Sequence, residues 1–439
     1  MTPGARIQAA LEILDEIHTQ NDPADRIIDK YFRNRRFAGS GDRRAIQERV
    51  YAVLRHRARL DWWVERTGSV VEPGPRPRLI AELALEDKSS PEATKGLFSG
   101  ATHCPAALSP REEELAHNLY GRPLTHADMP SPVKMEYPDW MDRSLSTLWP
   151  KTLERELSAL NQQAPVDLRI NMLKTTPEEA LKALQSEYVD AEPTPLSPIG
   201  LRLTGKTRLA GTSVYKKGWV EVQDEGSQLI ALLCGARPGM SVADFCAGAG
   251  GKALALAAAM ARDGKIEGNL WATDISSYRL ERMIPRLKRA GAERVRTKVV
   301  AARNDDWVQD NAATFDRVLV DVPCTGTGAW RRDPNAKWRF TPDDLIDLIA
   351  QQQRILDMAK TLVKPQGRLI YATCSLLQEE NEQQLAWFLE NNTDFQALPI
   401  DQVWSETVGG PAPPTGPGLR LSPASTGTDG FFCAVMERN

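Results

Sequence analysis

The second half of the chain sets the tightest limit on its fold. From Asp224 onward, short apolar runs alternate with segments of helical period: "SVADFCA", a helix over 251–262, "NLWATDI", a helix over 277–290, "TKVVAA", "FDRVLVDVP", a helix over 342–363, "RLIYATCS" and a helix over 379–390. Strands joined by helices pair in parallel and need cover on both faces. The pattern therefore predicts an α/β, Rossmann-like domain over 226–439, with ligands at the carboxyl ends of its strands. A Pro and Gly loop, "GGPAPPTGPG" (409–418), precedes a closing pair of strands, "LRLSP" and "FFCAVMER". Pro285 is expected to kink or shorten the helix it interrupts.

Residues 5–66 read differently. Ala9, Ala10, Ile13, Leu14 and Ile17 recur at helical spacing, as do Ile46, Val50, Val53 and Leu54, and no strand-like alternation interrupts them. A helical bundle to about Leu85 follows, then a Ser-, Pro- and Gly-rich connector over 86–132 with one helix near 111–119. Together these make an all-α domain over 1–130. Beyond Tyr137, "VDLRINML" (166–173) alternates, "TPEEALKAL" (176–184) is a capped helix, and "GLRLTG" and "GWVEVQD" read as edge and central strands. That predicts a small α+β, RRM-like module over 131–225. A chain of 439 residues has room for three such cores.

Composition adds exclusions. At 41% hydrophobic and 26% charged residues, neither a disordered nor a collagen-like chain is possible. No segment approaches the roughly 18 apolar residues of a membrane span, and the start has no signal-peptide pattern, so a soluble cytoplasmic monomer is expected. The six cysteines (104, 234, 246, 324, 374 and 433) lack paired short spacings, and His103, Cys104 and His126 lack ligand spacing. Neither a disulfide framework nor a metal site is expected.

Net charge is only −3, but it is unevenly spread. Between Arg26 and Arg59 stand eleven Lys or Arg against three acids, so the rest of the chain carries −11. A second basic run spans Arg279–Lys298, and a third comprises Arg331, Arg332, Lys337 and Arg339. Any one of these is as readily a solvated helix face; three in an acidic chain favour a polyanion partner such as RNA. Arg43, Arg44, Arg55, Arg57, Arg331 and Arg332 are the candidate phosphate contacts.

The first strand of the last domain ends in "DFCAGAGGKALAL" (244–256). Glycines at 248, 250 and 251 let a ligand approach the backbone and lead into a helix whose amino end offers free N–H groups. A P-loop would need Gly at 246 and Ser or Thr at 253, where this chain has Cys246 and Ala253, and the G-x-G-x-x-G spacing also fails. What remains is a Gly-rich turn with Asp274 ending the next strand, 23 residues after Gly251, placed to accept from a ribose diol. Any nucleoside-containing cofactor satisfies this pattern.

Two further strands end in cysteine: "LVDVPCTGTGAWRRDP" (319–334) and "RLIYATCSLLQEEN" (368–381). In a parallel sheet these ends share a rim with the glycine turn, so Cys324, Cys374, Asp321 and Lys252 are expected in one cleft. A thiolate that adds to carbon 6 of a pyrimidine makes carbon 5 nucleophilic toward a methyl donor. A carboxyl group at ring nitrogen 3 relieves the developing charge. A redox pair is the competing use of two cysteines, although neither has a Cys-x-x-Cys partner.

The segments "FCAGAGGK", "DVPCTGTGAWRRDPNAKW" and "YATCSLLQEEN" resemble the cofactor loop and the two cysteine motifs of RNA cytosine-5 methyltransferases of the Sun or Fmu type. "GDRRAIQERVYAVLRHRARLDWWV" resembles the NusB-like leader of the ribosomal small-subunit enzymes of this type, and "APVDLRINMLKT" with "GWVEVQDEGSQL" resembles their middle module. The resemblance implies methyl transfer from S-adenosyl-L-methionine to a cytosine in RNA, ribosomal by preference, with transfer RNA or a non-catalytic assembly role as alternatives. It implies that Cys374 is the nucleophile, that Cys324 assists product release, that Asp321 holds the cytosine edge and its nitrogen 3, and that Lys252 orders the cleft or favours the thiolate. It also implies that Cys246, Ala247, Gly248, Ala249, Gly250, Gly251 and Lys252, with Asp274, Arg279 and Asp321, hold the cofactor. Two departures stand out: Ala249 replaces a frequent proline, and Ala302 falls near the place of a third-strand acid, for which Asp305 or Asp306 is the candidate substitute.

Overall fold

The computed structural model describes all of residues 1–439 except Asn21, Ser69, Val70, Lys206, Thr207 and Thr415. Thr415 belongs to the expected 409–418 loop and so lies outside the described residues. The chain divides into two compact units, Met1–Gln162 with Trp330–Phe340, and Gln163–Ala329 with Thr341–Asn439.

The first unit is helical. Its helices include Pro3–Thr19, Ala24–Arg33, Ser40–Arg55, Arg57–Arg66 and Pro75–Leu85, then Pro91–Leu97, Pro110–Leu119 and Leu153–Leu160. Several begin at Pro in the first turn, where a missing N–H costs nothing. Ser109 and Glu112 close a reciprocal capping box on Pro110–Leu119. The connector expected over 86–132 is ordered: Phe98, Leu115 and Leu119 are fully buried in the same core as Ile13, Leu60 and Leu79. The helix Pro91–Leu97 was not expected, because seven residues are too few to show a period. This unit runs past residue 130, and it takes in Trp330–Phe340 from far along the chain.

In the second unit, β1 (Asp167–Ile170), β2 (Ala191–Pro193), β3 (Gly200–Leu203) and β4 (Val220–Val222) form an antiparallel sheet in the order β2-β3-β1-β4. "GLRL" is thus an inner strand and "VEV" the edge, the reverse of the sequence expectation. The helix Pro177–Ser186 starts at a Thr176/Glu179 capping box as expected.

The remaining strands are β5 (Ser241–Asp244), a short hairpin of β6 (Ala261–Arg262) and β7 (Lys265–Ile266), then β8 (Asn269–Asp274), β9 (Arg296–Val299), β10 (Phe315–Asp321), β11 (Val363–Thr373), β12 (Phe395–Ala397), β13 (Leu419–Leu421) and β14 (Phe431–Arg438). The large sheet has the order β12-β14-β11-β10-β5-β8-β9, with β13 on β14. Strands β11, β10, β5, β8 and β9 run parallel, whereas β14 runs antiparallel to β11, β12 and β13. The sheet is therefore mixed, which strand and helix alternation alone does not disclose. The chain leaves β5 toward β9 and returns to β10 on the other side, so the crevice between β5 and β10 is a topological switch point.

Pro285 does not break its helix: Ser277–Ala290 is continuous and ends at Gly291 in a left-handed cap. Pro285 lies on the exposed face, where water can satisfy the carbonyl that loses its partner. Among the described residues, no helix is long and apolar enough to cross a membrane.

Candidate active site

Four strand ends build the site. At the end of β5, the turn Cys246–Gly250 enters the helix Gly251–Ala259. Gly250 has φ of 85°, and a Cβ there would lie 2.4 Å from Met283 Cγ, so both conformation and packing require glycine. Gly248, at φ of 55°, faces open space. Arginines grip the turn from outside: Arg286 donates to the Ala249 carbonyl (2.6 Å) and the fully buried Arg169 of β1 donates to the Gly251 carbonyl (2.7 Å). Glu221 of β4 pairs with Arg286 and Arg289, joining the small sheet to this loop.

Asp274 closes β8 and is 4% exposed. Its carboxylate accepts from the N–H groups of Gly248 (2.9 Å) and Ser276 (2.8 Å), so the expected ribose acceptor also braces the glycine turn. Arg279 stands 4.0 Å away with a largely exposed side chain. Asp305 and Asp306, the candidate substitutes for the third-strand acid, stand at the start of the helix Asp306–Asp310. Asp305 caps that helix and accepts from the Ala301 and Trp307 N–H groups, while Ala302 and Asp306 are exposed.

Between the strand ends, Lys252 Nζ donates to Asp321 Oδ2 at 2.6 Å. Burial works against the Lys252 charge, but Asp321, with smaller help from Asp244 and Cys374, raises its pKa above the usual lysine value. Asp244, the last residue of β5, is buried with neither carboxylate oxygen hydrogen-bonded. Burial pushes its pKa up to about 7 against the pull of Lys252. Asp321 and Asp244 thus face Lys252, and Asp274 acts on Asp244 from the neighbouring strand end.

The cysteines lie at the ends of neighbouring parallel strands. Asp321 of β10 pairs in register with Ala372 of β11. The chain then continues to Cys324 and Cys374, whose sulfurs are 3.3 Å apart and unbonded. The contact with Cys374 and then burial hold the Cys324 thiol well above the usual pKa. Cys246, expected in the cofactor loop, is likewise raised by burial. The loops beyond the cysteines interlock: Gly328 N–H donates to the Cys374 carbonyl (2.9 Å), and Leu376 N–H donates to Thr327 Oγ1 (2.7 Å). Beneath them lies Glu380, a buried carboxylate to which the sequence pattern assigns no role. Its place in the polar string "QEEN" looks like an exposed helix start, and only the serine and threonines after each cysteine hint at buried polar partners.

The candidate phosphate contacts fare unevenly. Arg44 is exposed and pairs with Glu48 at 2.9 Å. Arg43 donates to the Ala38 carbonyl, Arg55 sits over the Tyr51 ring and Arg57 over the Trp338 ring, all three half-buried. Burial lowers the pKa of Arg57 to about 10. Arg331 is only 6% exposed and Arg332 is half-buried, and both have polar partners within the protein. Arg55, Arg57 and Arg331 therefore serve packing more than the surface. No cluster of three His, Cys, Asp or Glu able to hold a metal occurs among the described residues.

Comparison with known proteins points to one family. The family model for the 16S rRNA methyltransferase RsmB/F matches residues 231–437, and that for the RsmF/B-like ferredoxin-like domain matches residues 137–210. The probable ribosomal RNA small subunit methyltransferase B of Synechocystis sp. is 30% identical, over 98% of this chain and 99% of its own. The ribosomal RNA small subunit methyltransferase B of Cronobacter sakazakii is 28% identical over 90% of both. Among solved structures, PH0851 superposes with a TM-score of 0.78 at 24% identity, covering 100% of this chain and 99% of its own. A methyltransferase homolog from Pyrococcus horikoshii gives 0.60 at 26% identity, covering 70% of this chain and 97% of its own.

Proposed function

The chain belongs to the RsmB/F family of 16S rRNA methyltransferases, and from that premise we propose that it methylates carbon 5 of a cytosine in small-subunit ribosomal RNA through a covalent adduct with Cys374. Its cofactor is S-adenosyl-L-methionine, which supplies a methyl group on a cationic sulfonium. The residues present fit that group. Asp321 and Asp244 face Lys252 with Asp274 on the neighbouring strand end, neither Asp244 oxygen is hydrogen-bonded, and the glycine turn leaves open space beside Gly248. Gly248, Gly250, Gly251 and Asp274 would hold it, with the exposed Ile275 side chain as an apolar face for the base.

The observation that carries the reading is the pair of thiols 3.3 Å apart, with Cys374 in electrostatic reach of the Lys252 ammonium. The nucleophile is the thiolate, and the Lys252 ammonium is the positive charge set beside it. Cys374 adds to carbon 6, and the electron pair displaced toward nitrogen 3 is met by a proton passed from Lys252 through Asp321, whose carboxyl edge is partly exposed. Carbon 5 then takes the methyl group. Loss of the carbon 5 proton to solvent returns the electron pair through carbon 6 to Cys374 sulfur, the nitrogen 3 proton goes back through Asp321 to Lys252, and the Cys324 S–H donates a hydrogen bond to the departing sulfur. The helical unit, which we read as NusB-like, and the small sheet, read as RRM-like, would hold the RNA.

Incubation with methyl-labelled S-adenosylmethionine and total RNA from a strain lacking the protein tests this directly. Label on cytosine carbon 5 is expected. Label on another atom, or on transfer RNA alone, overturns the proposal.

A further inference from the structure

Glu380 lies at a place where the two cysteine loops meet, and it takes part in none of the steps above. Its carboxylate is completely buried, yet four donors converge on it. Oε1 accepts from Thr325 N–H (2.9 Å) and Gln352 Nε2–H (2.9 Å); Oε2 accepts from the hydroxyls of Thr325 (2.5 Å) and Ser375. Thr325 follows Cys324 and Ser375 follows Cys374, so this one group ties both loops at the residues beside the sulfurs. The Ser375 hydroxyl accepts from Leu377 N–H, so its own proton is free to point at Glu380. The Tyr371 hydroxyl donates to the Glu380 backbone carbonyl (2.6 Å), which fixes the residue from the strand side.

Two thiols in contact can share one S–H···S hydrogen bond in either direction. The direction decides which sulfur is ready to become the nucleophile. On the Cys374 side the nearby charge is the Lys252 ammonium, paired with Asp321. On the Cys324 side it is the Glu380 carboxylate, with Tyr371 as the other titratable neighbour. A negative charge behind one sulfur and a positive charge beside the other polarise the pair in a single sense.

We propose that Glu380 is a positioning residue for both thiols: it locks the two cysteine loops together through four hydrogen bonds and, by its charge, makes Cys324 the S–H donor and Cys374 the acceptor. This rests on the reading of Cys374 as nucleophile and Cys324 as helper. Burial raises the Glu380 pKa, and the four donors oppose that rise. A carboxylate that receives four donors, two of them N–H groups that cannot turn round to accept, is best served by remaining ionised.

The geometry supplies a variant that separates charge from architecture. In Glu380→Gln the amide oxygen can accept from the two N–H donors on the Oε1 side, while its NH₂ can donate to the two hydroxyl oxygens on the Oε2 side. All four links persist and only the charge is lost. Glu380→Ala loses both.

The test measures alkylation of each cysteine by iodoacetamide against pH, using the full chain, with peptide mass spectrometry to separate the sites. Cys324 is followed with Cys374→Ser present and Cys374 with Cys324→Ser present. With Glu380 intact, Cys374 is expected to react about ten-fold faster than Cys324 near neutral pH, because only the thiolate reacts. Glu380→Gln should move the Cys324 profile to lower pH and bring the two rates within about three-fold, with the melting temperature unchanged. Glu380→Ala should lower the melting temperature as well. Unchanged pH profiles in Glu380→Gln overturn the proposal, as does a profile shift confined to Glu380→Ala. The readout needs no RNA, so it stands or falls apart from the identity of the methylated atom.

Discussion

At the residue scale, Asp244 makes the sharpest statement, because a buried carboxyl without hydrogen-bond partners is costly and is kept for a reason. Its pKa is raised from 3.8 to about 7, so it is protonated in the native state where it would be ionised unfolded. The folded chain then holds more protons than the unfolded chain between those values, and stability falls as pH rises from about 4 to 7. A cationic ligand reverses the preference for the neutral form. Calorimetric titration is expected to show cofactor affinity rising with pH through about 7, and Asp244→Asn should flatten that profile. An identical pH dependence in the variant would remove Asp244 from the account. Asp274→Ala is expected to weaken the cofactor by more than the 1.5 to 3 kcal/mol typical of a charge-assisted hydrogen bond, since the turn at Gly248 loses its brace as well. An unchanged dissociation constant would show that Asp274 only supports the fold.

At the scale of elements, the glycine turn is held by side chains from the surroundings of two different sheets. Arg286 comes from the helix after β8 and Arg169 from the small antiparallel sheet, and Glu221 links this sheet to Arg286. Arg286→Gln is expected to loosen the turn, reducing cofactor affinity about three- to ten-fold while the thiol alkylation profiles stay as they are. A loss of alkylation order instead would mean that the turn and the cysteine loops are one rigid body. The strands that frame these elements were legible in the sequence because each is an apolar run, three of them closed by Asp244, Asp274 and Asp321, and Cys324 and Cys374 could be placed because they follow such runs. Other features were not legible. Alternation of strands and helices says nothing of spatial order, so the antiparallel β14 was invisible beside β11. Glu380 sits among polar residues and betrays its burial only through Thr325 and Ser375 from distant segments. Counting arginines overstated the surface charge, because Arg55, Arg57 and Arg331 are engaged in packing against Tyr51, Trp338 and buried partners.

For the whole molecule, the helical unit supplies the candidate RNA surface, and the structure sorts its bases. Arg33, Arg36 and Arg44 are exposed, and Arg33 and Arg43 line a depression of about 360 Å³ with Phe32. Neutralising Arg33, Arg36 and Arg44 together should reduce the slope of log affinity against log salt by about 0.7 for each phosphate of single-stranded RNA that the protein no longer neutralises. Changing Arg55 and Arg57 should instead lower the melting temperature and leave that slope alone; the opposite pattern would mean that the buried pair faces the RNA. What unites the molecule is the claim that all this binding serves one covalent event at Cys374. The most direct measurement takes Cys324→Ala, incubates it with cofactor and small-subunit ribosomal RNA, digests the product and maps the attachment by mass spectrometry. A cytidine bearing an added methyl group and linked to the Cys374 peptide is the predicted result, whereas no adduct, or an adduct on any other residue, would contradict the account.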